Sequence, residues 1–194
     1  MSELYSINIA AISRAIPRNI LQGICRSVGE TFGCPAQLSD FSLDLDRAFD
    51  HSREQYNSSS LLAQMCERIP SSRAAKWISV VDVDLFVPVL TFVFGEAQLE
   101  GSMAVVSTKR LDAAFYGLPP SPEVLYNRIE KEIIHELGHT FGLYHCKQFE
   151  CVMRSSTYAE ELDLKLHTLC HECAALIEPS RQSFSTTKES RVHL

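Results

Sequence analysis

The sequence predicts an α/β fold with at least partly parallel strands. Three observations carry this. Short β-branched runs alternate with segments of helical apolar spacing, the helical segments carry start and stop residues, and 194 residues at 45% hydrophobic suffice for one buried core.

Tyr5 to Ile12 reads as a first strand. Ile16 to Phe32 places Ile20, Leu21, Ile24 and Val28 at helical spacing, with Pro17 near the first turn and Gly33 as the stop, so it predicts a helix. Ala36 to Leu45 is a candidate second strand. Ser58 to Ile69 is a second helix, opened by a serine run and ended by Pro70. Trp77 to Val83 is densely β-branched and predicts a central buried strand. Val89 to Phe94 and Met103 to Thr108 predict two more strands, and Gly95 to Gly101 between them a turn or bulge near a sheet edge. Ser121, Pro122 and Glu123 are an N-cap, a first-turn proline and a carboxylate suited to the helix dipole. Leu125, Ile129, Ile133 and Leu137 then form one buried stripe. Tyr158 to Leu176 is a candidate terminal helix. Residues 178–194, rich in Ser, Thr and basic residues, read as a disordered tail. One domain over 1–177 is expected, with an upper part to about 142 and a lower lobe over 143–177.

Composition narrows the function. A net charge of −6 with scattered Lys and Arg argues against nucleic acid as a partner. No apolar run approaches the length a bilayer requires. Met1 to Ala10 lacks a basic segment followed by an apolar one, so a cytoplasmic setting is expected, where cysteines are thiols or metal ligands. Cys25, Cys34 and Cys66 are dispersed and read as core or surface thiols. Cys146, Cys151, Cys170 and Cys173 are grouped near three histidines.

The decisive segment runs from His135 to His145, HELGHTFGLYH. Residues four apart on a helix lie on one face, so His135 and His139 can present two imidazoles to one metal while Glu136 flanks it. In a continuing helix His145 would lie about 9 Å beyond His139 and roughly 120° around. Gly142 can end the helix in a left-handed conformation and let His145 fold back as the third ligand. Three neutral imidazoles leave a tetrahedral position open, the arrangement of a catalytic zinc. A bare HExxH arises by chance in roughly 1 to 2% of chains this size, so the weight rests on the added glycine and third histidine.

The four cysteines form two closely spaced pairs able to close an all-thiolate tetrahedron, which would be a structural zinc. Two zinc ions per chain are therefore expected, one catalytic and one structural. His145 and Cys146 are consecutive yet would serve different ions, so a four-cysteine clamp would hold the third histidine in register.

The motif HExxHxxGxxH resembles that of the metzincin metalloproteases, and its continuation through Cys146, Cys151, Met153 and Cys170-His171-Glu172-Cys173 resembles the archaemetzincin branch, over about a fifth of the chain. The resemblance implies a compact domain with a twisted mixed sheet over the active-site helix. It implies a methionine turn beneath the metal at Met153, and a Phe92-Val93-Phe94 strand that pairs with an extended peptide. Ser155 stands where some branches carry a tyrosine, so no fifth ligand is expected there. The activity implied is peptide hydrolysis by a zinc-activated water with Glu136 as general base. A zinc-stabilised peptide-binding module with vestigial hydrolysis is the alternative, and a hydrolase of non-peptide amides would use the same residues.

Other candidates carry less. Asp82 and Asp84 form a DxD without phosphate-binding context and read as capping or loop groups. His51, His167, His171 and His193 read as surface residues, and Tyr144 and Tyr158 as packing aromatics.

Overall fold

The computed structural model describes residues 5–12, 16–70, 72 and 74–177. The expected tail over 178–194, with His193, lies outside them.

The chain runs β1 (Ser6–Ala11), α1 (Arg18–Phe32), β2 (Ala36–Leu38), β3 (Phe49–Asp50), β4 (Gln55–Asn57), α2 (Ser58–Arg68), β5 (Ala75–Val81) and β6 (Leu85–Phe86). It continues through β7 (Gly95–Ala97), β8 (Met103–Ser107), α3 (Pro122–Thr140) and α4 (Ala159–Asp163). The main sheet has the order β2-β1-β5-β8-β7, with β7 the one antiparallel member, at its edge. The sheet is mixed, as expected.

Alternation of side chains across the sheet assigns its layers. On β8, Ala104 and Val106 join the cluster that packs α1 and α3, while Met103 and Val105 join the cluster that packs Leu61 and Met65 of α2. On β5, Ile78 and Val80 face the first cluster and Val81 the second. The sheet is thus covered on both faces, which is why β8 is apolar from Met103 to Val106 and all five of its residues are buried. The first cluster continues into Leu143, Met153, Leu162 and Ile177, so the C-terminal segment shares the core of the sheet.

Four expectations change. Ala36 to Leu45 pairs only over its first three residues; further on, the Gln64 side chain takes over, bonding the amide and carbonyl of Asp44 at 2.9 Å each. Val89 to Phe94 is not a strand. Pro88 sits in a turn closed by Leu90 N–H to Val87 O at 3.0 Å, and Val93 makes only an isolated bridge to Leu85. The edge strand is instead Gly95–Ala97, inside the stretch expected to be a turn, and the turn proper is closed by Gly101 N–H to Gln98 O. Tyr158 to Leu176 is interrupted: α4 ends at Asp163 and helix resumes over 171–177. Between them Leu166 N–H bonds Glu150 O and Thr168 O accepts from Val152 N–H, so the chain leaves the helix to pair with the loop before Met153. A small second sheet, β3-β4-β6, has strands too short to produce a readable period.

Candidate metal centres and their cleft

α3 carries the histidine motif through the core. Ile129, Ile133 and Leu137 are fully buried, and Leu125 is half-buried at the open end of the stripe. Two cations on the same stretch are buried too, and hydrogen-bonded. Arg128 makes a two-pronged bond to Asp163 at 2.9 and 2.6 Å and donates to Leu111 O, while Lys131 Nζ donates to Leu162 O. Those bonds tie α3 to α4.

The helix ends where the motif requires. Gly142 has φ +90°, its N–H bonds His139 O at 2.9 Å, and Leu143 N–H bonds Gly138 O at 3.0 Å, the paired closure of a glycine-terminated helix. Lys76 Nζ donates to Thr140 O at 2.9 Å, adding a cation at the negative end of the helix dipole. The chain reversal returns His145 to the other two histidines, and the three ring centroids lie 4.8, 5.2 and 5.0 Å apart.

Hydrogen bonds determine what the rings can do. His135 Nδ1 faces Val152 O at 2.9 Å and His139 Nδ1 faces Leu143 O at 2.7 Å. A carbonyl only accepts, so each Nδ1 carries the proton and each Nε2 exposes a lone pair. The two Nε2 atoms nonetheless approach to 3.2 Å. Two lone pairs repel at that distance unless a cation lies between them. Zinc–nitrogen bonds of about 2.0–2.1 Å in a tetrahedron would place nitrogens about 3.3 Å apart, so the geometry fits. Burial holds His135 well below the ordinary imidazole range and lowers His139 and His145 as well, keeping all three neutral as ligands must be. His145 is exposed, leaving one side of the triad open to solvent.

Cys146, Cys151, Cys170 and Cys173 also converge, with ligand atoms within 4.8 Å of one another. Sγ separations are 3.7 Å for Cys146 and Cys170 and 3.8 Å for Cys151 and Cys173. A disulfide needs about 2.05 Å, whereas a zinc tetrahedron of four thiolates with bonds of about 2.3 Å sets sulfurs about 3.8 Å apart. The donor set fits zinc. Cys146 N–H bonds Met153 O at 2.9 Å, linking the two centres through the backbone.

A cleft of about 340 Å³ opens beside the triad, lined by His135, Glu136, His145, the 90–95 segment and Ser155 to Thr157. Burial raises the Glu136 carboxyl well above its usual range, with the Glu132 and Glu96 carboxylates adding to the effect. Gly95 makes the close approach possible: a Cβ there would stand 2.6 Å from Glu136 Cγ and 2.7 Å from Val105 O. Glu132, one turn before Glu136, is buried and pushed up to about 7, chiefly by desolvation. An acid raised in the folded state keeps its proton longer there than in the unfolded chain. Its contribution to stability therefore declines as pH rises from about 4.5 through about 7.

The remaining candidates fall elsewhere. Asp84 pins a loop through Arg110 at 2.5 and 2.7 Å and Gln55 at 2.9 Å, and Asp82 is exposed. His51, His167 and His171 are surface residues, Cys25 and Cys34 are buried, and Cys66 is exposed. Tyr144 and Tyr158 are largely exposed, so packing does not account for them.

Residues 46–179 match the model of peptidase family M54. The chain belongs to that family. Archaemetzincin from Methanocaldococcus jannaschii is 39% identical over 154 residues, 79% of this chain and 83% of that protein. The crystal structure of archaemetzincin from Methanopyrus kandleri superimposes with a TM-score of 0.76 at 31% identity, covering 93% of this chain and 97% of the other. A zinc-dependent peptidase from Methanocorpusculum labreanum gives a TM-score of 0.77 at 28% identity, over 88% and 99%. The chain is thus a zinc metallopeptidase of the archaemetzincin family, and no helix among its described residues is long and apolar enough to cross a membrane.

In this M54 chain Met153 is fully buried against α3. A Cβ at Gly138 would collide with its sulfur, so the glycine inside HELGH is what admits the methionine. Lys165, unnoticed in the sequence, is 3% exposed, and its Nζ donates to the carbonyls of Val152 and Arg154 on either side of Met153. Val152 O also orients His135, so Lys165 supports the histidine cluster indirectly.

Proposed function

We propose that the chain hydrolyses peptide bonds, with His135, His139 and His145 holding a catalytic zinc and Glu136 acting as general base. Cys146, Cys151, Cys170 and Cys173 hold a second, structural zinc. The observation that carries this reading is the 3.2 Å approach of two imidazole nitrogens that both bear lone pairs. When bound, zinc supplies the Lewis acidity that makes water acidic near neutral pH and polarises a carbonyl.

Every other part of the chemistry falls to the chain. Glu136 takes the proton from the attacking water and hands it to the departing amine. Burial raises its pKa, which makes it a stronger base for that proton. β7 pairs with β8 along one side only, so its free edge is suited to align an extended peptide by main-chain bonds. The Phe92 to Phe94 segment lines the cleft beside that edge. The division near residue 142 goes with this reading, because the helix closure at Gly142 separates the part bearing Glu136 from the lobe clamped by cysteines. So does a cytoplasmic setting, where thiols remain free to ligate.

Incubating zinc-loaded protein with a mixture of peptides of varied length and identifying fragments by mass spectrometry tests the proposal. New termini that disappear on zinc removal are expected. Peptides retained by the protein without any fragment would favour the zinc-stabilised binding module instead.

A further inference from the structure

Three buried side-chain oxygens have no hydrogen-bond partner among the described residues: Ser79 Oγ, Glu132 Oε2 and Ser156 Oγ. Two of these, Glu132 and Ser156, line the cleft beside Glu136. Unsatisfied buried acceptors are rare because each costs its full desolvation, and two from different elements on one cavity point to an occupant that satisfies both. Glu132 is 5% exposed and comes from α3, whereas Ser156 comes from the chain after Met153. The hydrolytic step uses neither.

Lys165 attracts the charged form of the carboxyl but does not bond it. Its Nζ is committed to the carbonyls of Val152 and Arg154, and no ion pair within bonding distance joins it to Glu132 among the described residues. Nor does stability explain it, since a buried carboxylate without a bond disfavours folding. Phe92 and Phe94 line the same cleft and supply apolar wall. An apolar wall ending in a desolvated carboxylate and a hydroxyl matches a side chain with an aliphatic stem and a cationic head.

We infer that Glu132 and Ser156 form a specificity pocket for a basic residue, lysine or arginine, next to the scissile bond of the substrate. The cation donates to the Glu132 carboxylate and the Ser156 hydroxyl, and the stem lies along Phe92 and Phe94. This rests on the peptidase reading above, but the pocket is testable by binding alone.

The probes are peptide hydroxamates, which ligate zinc, identical except for one side chain: lysine, its uncharged isostere norleucine, or glutamate. Binding to zinc-loaded protein is measured by calorimetry. The lysine compound should bind about 10- to 100-fold tighter than norleucine, the range of a charge-assisted bond, with glutamate weakest. Glu132→Gln should bring the lysine and norleucine affinities together while leaving norleucine binding and zinc content unchanged. Ser156→Ala should narrow the preference in part. Equal or tighter binding of norleucine by the unaltered protein, or failure of all three to bind, overturns the proposal, and neither result depends on a variant folding. An equal loss for lysine and norleucine in Glu132→Gln would make Glu132 a structural residue and overturn it too. Separate cleavage of a lysine-containing peptide decides the peptidase reading, which can fail while the binding preference stands.

Discussion

Glu136→Gln is expected to reduce peptide turnover by a factor of about 10² to 10⁴ with zinc content unchanged. Glutamine keeps the size that fits beneath Gly95, where Glu136 already approaches as closely as a residue without Cβ permits. It cannot accept the proton of the attacking water. His139→Ala should behave differently, losing catalytic zinc and turnover together, because the 3.2 Å pair of ring nitrogens is then broken. Zinc content and turnover measured on both variants separate chemistry from ligation. Wild-type cleavage by Glu136→Gln would remove the general-base role from this residue.

Cys151→Ser should damage the fold before it damages catalysis. Cys151 is 2% exposed and its sulfur stands 3.8 Å from that of Cys173. Among the described residues, the segment it clamps contains only the five-residue α4 and the helical turns at 171–177, too little regular structure to hold itself in place. Structural zinc contributes its binding energy to folding. Each kcal/mol lost lowers Tm by roughly 2–4 °C in a chain this size, so a fall of at least several degrees is expected. Weaker catalytic zinc should follow, because Cys146 adjoins His145. A variant with unchanged Tm and zinc content would show that the cysteines are ordinary thiols.

The histidine site was legible because its geometry is local. Two ligands four residues apart and a helix-ending Gly142 are determined by the backbone of one helix, and the left-handed φ of +90° is where that reasoning puts it. The cysteine cluster was legible from paired spacing, although nothing in the spacing sets the 3.7 Å contact between Cys146 and Cys170. Residues that act across elements were not legible. Gly95 reads as a turn residue until β7 is seen to lie over Glu136, and nothing in the sequence singles out Glu132 or Lys165, whose burial comes from packing between elements. Val89 to Phe94 has the composition of a strand, but strand formation needs a partner, and after the turn at Pro88 the segment finds only an isolated bridge from Val93 to Leu85 before Phe94 O accepts from Ser107 N–H of β8. The expected terminal helix breaks where Leu166 and Thr168 bond Glu150 and Val152 in the loop before Met153, a long-range pairing that helical spacing cannot reveal.

Graded zinc removal, with metal content and peptide turnover read on the same samples, tests the assignment of the two centres. Fully loaded protein should hold two ions per chain. The solvent-open histidine site, with one exposed ligand, should empty first under mild chelation, and turnover should fall in proportion to that first ion while the second remains bound and the protein stays folded. Turnover that persists after the first ion is gone, or a single ion per chain in loaded and active protein, would rule out a catalytic histidine zinc beside a separate cysteine zinc.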